Sequence, residues 1–141
     1  TGWSNGGAMA ELYSLNTPEV AATATYSATA PFSDWRDPCA QAPFATTLPP
    51  VMDIHNSCDV IGTCQTTTAY HQQLGKLFPK LAQKVVLLNE SRQQTDACDA
   101  LCANDTLEGN PLGLTNHLIW PQKWNDQLLD WLRDHPRSSR K

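Results

Sequence analysis

The spacing of apolar and polar residues changes several times along this 141-residue chain, and each change marks an element. Residues 4–15 carry Ala8, Met9, Ala10, Glu11 and Leu12, all good helix formers, and Asn16, Thr17 and Pro18 stop the helix they predict. Gly6 and Gly7 at its start allow close approach to a neighbour. Residues 20–28 (VAATATYSA) read as a strand. Residues 30–49 are broken by Pro31, Pro38, Pro43 and Pro49 and read as a loop. The apolar run 51–54 then predicts a short buried strand that leads into His55-Asn56-Ser57-Cys58-Asp59.

Over residues 66–81, Tyr70, Leu74, Leu77, Phe78 and Leu81 fall at helical spacing, with Pro79 as the limit. Residues 84–89 (KVVLLN) are the strongest strand signal in the chain. Residues 91–113 are polar, and Asn116-His117-Leu118-Ile119-Trp120-Pro121 follows them. Pro121 fits a helix start, and Trp124, Leu128, Leu129, Trp131 and Leu132 then predict one apolar face through Asp134. Strands alternating with helices imply an α/β fold with a parallel sheet. In such sheets functional groups gather beyond the carboxyl ends of the strands. No repeat, low-complexity tract or linker interrupts the pattern.

Composition narrows the class. With 40% hydrophobic and 17% charged residues the chain is globular. Its net charge is −4, and Lys and Arg are scattered apart from the tail 137–141. That balance argues against nucleic acid or an acidic membrane surface as the partner. No apolar run reaches the roughly 18 residues of a membrane span. The chain begins at Thr1 with neither an initiator Met nor a signal peptide, so it reads as a processed product or a fragment. Five cysteines and few Lys residues suggest a secreted, oxidising setting. Cys58 with Cys64 and Cys98 with Cys102 can pair locally, which leaves Cys39 over. The C-x5-C and C-x3-C spacings do not match the usual zinc pairs, so no metal is expected. Asn89-Glu90-Ser91 and Asn104-Asp105-Thr106 are glycosylation sequons.

The candidate chemistry starts at Gly2-Trp3-Ser4-Asn5-Gly6, a G-x-S-x-G sequence. Such a turn exposes a serine, and small residues beside it, here Gly2 and Gly6, let the turn close. A serine hydroxyl needs an imidazole to take its proton and a carboxylate to orient that imidazole. Asp59 and His117 follow in the order Ser…Asp…His that α/β-hydrolases use. The bland alternatives are a helix-capping serine, a carboxylate in an Asx-turn and a histidine packed near Trp120. Asp53 competes as the acid but sits mid-strand. His55, His71 and His135 compete as the base; His71 lies within a helix, His135 at a helix end, and His55 is placed to prop the acid loop.

These segments resemble the secreted polyhydroxybutyrate depolymerase-like and feruloyl esterase-like α/β-hydrolases. GWSNGG followed by AMA is similar to their elbow and the helix after it. HNSCDVIG resembles their acid loop, NHLIWP their histidine loop, and WNDQLLDWLRDHP their closing helix. The resemblance runs from Thr1 to about Pro136 and implies a partial catalytic domain over 1–136 followed by a basic tail, 137–141. It departs from the family pattern at Asn56 and Asn116, where Gly is usual, and in 107–114, where Gly109, Pro111 and Gly113 weaken the expected strand.

The resemblance implies a serine ester hydrolase with Ser4 as nucleophile, Asp59 as orienting acid and His117 as general base. The Asn5 N–H would be one oxyanion donor, and no cofactor is needed. The substrate would be a polyester, or a feruloyl or acetyl ester of a plant polysaccharide. Trp3 is expected to pack around the elbow, and Trp35, in a loop, is a candidate to line a binding cleft. The resemblance also implies the C-terminal portion of the fold, dependent on an absent N-terminal half for further strands and the second oxyanion donor. By itself the chain would then be poorly soluble and inactive, since losing one donor costs roughly 10²–10³ in rate. Two readings compete with the esterase: a prolyl-oligopeptidase-type serine peptidase, which shares the G-W-S-x-G-G elbow, and a non-catalytic fragment.

Overall fold

The computed structural model describes residues 1–17, 19–28, 48–56, 59, 63–88, 117, 118, 120 and 122–137, with side chains omitted for 63–66. Four parallel strands lie side by side in chain order: β1 (Gly2–Trp3), β2 (Thr23–Tyr26), β3 (Val51–Asn56) and β4 (Gln83–Leu88). Helix α1 (Asn5–Asn16) connects β1 to β2, and α2 (Thr63–Leu77) connects β3 to β4. A short 3-10 turn (Gln122–Trp124) leads into the last described helix, α3 (Asn125–Asp134). This is an α/β fold.

The sheet register explains which helix covers which face. Thr25 pairs with Asp53, which pairs with Val85; Tyr26 pairs with Ile54, which pairs with Val86. Paired residues in a parallel sheet share a face, and neighbours along a strand alternate. Ala24, Tyr26, Met52, Ile54 and Leu88 therefore form one apolar face, which Leu128 of α3 closes with Trp124, Trp131 and Leu132 around it. The Trp131 indole donates to the Thr23 carbonyl at 3.1 Å and locks α3 to the sheet. On the other face Val51 meets Leu15 of α1 and Tyr70 and Leu74 of α2. Both crossover helices lie on this face, as right-handed connections running one way across a sheet require.

Several sequence expectations need correction. The strand that leads into Ser4 is only Gly2–Trp3, held by pairing with Thr25 and Tyr26. The expected strand 20–28 contracts to Thr23–Tyr26: the Val20 N–H closes a turn onto Thr17, and Ser27 takes a positive φ of 46°. Helix α2 runs from Thr63 to Leu77 rather than over 66–81. Phe78 and Leu81 pack onto the core from beyond its end, whereas Leu77 is 42% exposed. In α3, Leu129 lies off the buried face at 52% exposure. Strand β4 begins at Gln83, one residue earlier than expected, and its last described residue is Leu88.

Candidate active site

Ser4 sits between the end of β1 and the first turn of α1. Its backbone is at φ 54°, ψ −130°, a region that L-residues occupy only under constraint. The constraint is visible. The Ser4 N–H donates to the Tyr26 carbonyl at 3.0 Å, and the Ser4 carbonyl accepts from Gly7 and Ala8 at 2.9 and 3.1 Å. The side chain is thus turned out of the helix and makes no capping hydrogen bond, which removes the helix-capping reading of Ser4.

Two glycines make the turn possible. A Cβ on Gly2 would lie 2.2 Å from the Gly6 carbonyl oxygen, and one on Gly7 would lie 2.6 Å from the Ala28 Cβ. Gly6 is different: a Cβ there would meet open space, so its contribution to closure is a backbone close to Gly2, not a missing side chain.

Asp59 lies three residues beyond β3, with its N–H donated to the Asn56 carbonyl at 3.0 Å. Both β1 and β3 therefore deliver their residues to the same, carboxyl edge of the sheet. His117 arrives from far along the chain. Its Nε2 lies 2.8 Å from Ser4 Oγ, and its Nδ1 lies 2.7 Å from Asp59 Oδ2. Asp59 is 0% exposed and His117 5%. The three side chains expected to act together are in one hydrogen-bonded line. Asn5 opens α1, and the N–H groups of a first helical turn have no partner within the helix.

Trp3, read as a packing residue, does more than pack. Its indole N–H donates to the His117 carbonyl at 3.1 Å, and its ring meets Trp120 edge-on at 6.4 Å. Trp120 in turn lies edge-on to Tyr26 at 5.5 Å and bonds Asn125 through its own indole N–H at 2.5 Å. Trp35 and all cysteine side chains fall outside the described residues, as do both sequon asparagines. Among the described residues no group of three or more His, Cys, Asp or Glu could hold a metal ion.

A second polar group lies beneath the site, on the helix-covered face of β2 and β3. Glu11, Thr25, Asp53 and His71 are all buried. The Thr25 hydroxyl bridges the two carboxyl groups, to Glu11 Oε1 at 3.1 Å and to Asp53 Oδ1. His71 joins Asp53 Oδ2 at 2.5 Å through Nε2 and Gln83 Oε1 at 2.9 Å through Nδ1. Burial works to raise Asp53, but the hydrogen bond and charge of His71, with a hydrogen bond from Glu11, outweigh it and hold the carboxyl at about 2. Burial, then the Asp53 charge, push Glu11 well above the ordinary carboxylate range. Asp53 and His71, weighed as alternative acid and base, are thus bonded to each other and away from Ser4.

His55 has no hydrogen-bond partner for either ring nitrogen among the described residues, although it is fully buried. Burial lowers its imidazole to about 4, against the pull of the Asp53 and Asp59 carboxylates. An open groove of about 430 Å³ between α2 and β4, lined by Thr68, His71, Gly75 and Gln83 among others, includes none of Ser4, Asp59 and His117.

The sequence reading missed the buried Glu11. The signal available was Asp53 inside an apolar strand, because a carboxylate buried there needs partners from the covering helices. Compared with protein-family models, curated proteins and solved structures, the chain has no match.

Proposed function

We propose that this chain carries the nucleophile, acid and base of a serine carboxylic-ester hydrolase built on the α/β-hydrolase plan. The observation that carries the reading is the line Ser4 Oγ, His117 Nε2, His117 Nδ1, Asp59 Oδ2, with contacts of 2.8 and 2.7 Å, at a serine held with φ 54°. Strained backbone persists where surrounding structure enforces it, and here it presents a hydroxyl to an imidazole.

The chemistry follows from that geometry. His117 Nε2 takes the proton as Ser4 Oγ bonds to the ester carbonyl carbon, and Asp59 accepts the Nδ1–H throughout and keeps the ring in register. The developing oxyanion faces the start of α1, where the Asn5 N–H is one donor and the helix end favours negative charge. The C–O bond to the leaving group then breaks, and His117 gives its proton to the departing alcohol. Water, deprotonated by His117, attacks the acyl-enzyme and frees Ser4. The family resemblance supports a polyester, or a feruloyl or acetyl polysaccharide ester, as substrate, and a second oxyanion donor from the family's N-terminal half.

Hydrolysis of p-nitrophenyl acetate, polyhydroxybutyrate and methyl ferulate by the protein purified from its source tests the reading. Ser4→Ala should lower ester hydrolysis about 10⁴-fold or more. Full activity in Ser4→Ala, or cleavage of proline-site peptides with no ester hydrolysis, contradicts it.

A further inference from the structure

The base is fixed at two points. Its ring is held by Asp59, and its main chain is held by a residue 114 positions earlier, through the 3.1 Å bond from the Trp3 indole to the His117 carbonyl. We propose that Trp3 is a positioning residue for His117: its indole N–H, donated to the His117 carbonyl, holds the base over the Ser4 hydroxyl.

Three observations support this. Trp3 is the residue before the nucleophile and is fixed in the sheet by its pairing with Tyr26, so its indole reports the position of the elbow. A contact from that indole to His117 ties base and nucleophile to one rigid reference. The ring's bonds to Asp59 and Ser4 set its orientation, and the bond at the backbone fixes the main chain from which the ring hangs. Trp3 is also 36% exposed, with its centroid 6.4 Å from the His117 ring. A ring left that far in water gives up part of its burial energy, and Phe would fill the same place. What tryptophan adds there over phenylalanine is an N–H donor on the ring.

The catalytic consequence rests on the esterase reading, but the geometry does not. Trp3→Phe keeps the ring and removes the donor. Loss of one ordinary hydrogen bond corresponds to roughly a three- to tenfold change. The expected result is a three- to tenfold fall in kcat, with KM within about twofold, because the bond orients the base and touches no substrate.

Two NMR readouts stand apart from turnover. In the wild-type protein the Trp3 indole proton should exchange with water far more slowly than that of a free tryptophan. In Trp3→Phe the low-field proton signal of the His117–Asp59 bond should broaden or vanish while the thermal midpoint stays within a few degrees. An indole proton exchanging at the free rate, or an unchanged His117–Asp59 signal in folded Trp3→Phe, overturns the proposal. If Trp3→Phe does not fold, the wild-type exchange rate decides. If Ser4→Ala hydrolyses esters like the wild type, the esterase reading fails, and the two NMR readouts still judge Trp3.

Discussion

His55 makes the stability of this fold depend on pH in a way that one substitution removes. The imidazole is fully buried on the helix-covered face of β3, and burial lowers it from 6.5 to about 4. The unfolded chain takes up a proton on this residue as pH falls through 6.5; the folded protein does not until about 4. Its contribution to stability is therefore complete above pH 6.5 and is lost on acidification down to about 4. At about 1.4 kcal/mol for each pH unit in that interval, the loss is about 3 kcal/mol. In His55→Leu this loss disappears. The two ring nitrogens that lack partners among the described residues also go. Urea unfolding of both proteins at pH 7.5 and at pH 4.5 is the assay. Asp53, which feels the charge of His55, is held at about 2 and stays ionised at both pH values, and the Glu11 and surface carboxylate contributions are common to the two. His55→Leu should lose about 2–3 kcal/mol less than the wild type between the two pH values. Equal losses would refute the reasoning and show that His55 is protonated, or reached by water, in the folded state.

The buried carboxyl pair predicts opposite trends for its two members. Asp53, held at about 2, stabilises the fold above its unfolded value near 3.8, and this is lost as pH falls toward 2; Asp53→Asn should flatten the acid limb of the urea midpoint between pH 4 and pH 2. Glu11, raised by burial and by Asp53, contributes fully at low pH and less as pH rises, so Glu11→Gln should retain more stability than the wild type on going from pH 4 to pH 8 by urea unfolding. Gly7→Ala would force a Cβ to within 2.6 Å of Ala28 and should cost about 1–3 kcal/mol by thermal unfolding, whereas Gly6→Ala, facing open space, should change stability by under about 1 kcal/mol. Asp59→Asn leaves the shape of the site but removes the acceptor charge at His117 Nδ1, and kcat for ester hydrolysis should fall about 10³–10⁴-fold.

What the sequence made legible and what it hid divide along physical lines. The order Ser4, Asp59, His117 is readable because an elbow demands glycines at fixed offsets and because strand ends deliver their residues to one edge. Helix α3 is readable because Trp124, Leu128, Trp131 and Leu132 recur at helical spacing; Leu129 misled because it is apolar yet faces water. The short β1 has no sequence signal because two residues carry no periodicity, and only pairing with Thr25 and Tyr26 makes them a strand.

The polar layer of Glu11, Thr25, Asp53 and His71 was hidden for a different reason. Only Asp53, a carboxylate inside an apolar strand, stands out in its own segment: Glu11 favours helix, Thr25 favours strand and His71 fits within a helix. The register that aligns Thr25 with Asp53 beneath α1 and α2 is a tertiary property. Similarly, Trp3 reads as elbow packing until the bond to His117, across most of the chain, becomes visible.

The central claim is that Ser4 is a nucleophile activated by His117. Intact-mass and peptide mass spectrometry after treatment with a fluorophosphonate tests it most directly, because that reagent phosphonylates an activated serine far faster than an ordinary one. The account predicts one adduct per chain, on Ser4, with labelling abolished in Ser4→Ala and slowed at least about 10³-fold in His117→Ala. Absence of an adduct on the wild-type protein, or labelling of Ser4 at the same rate without His117, would contradict it.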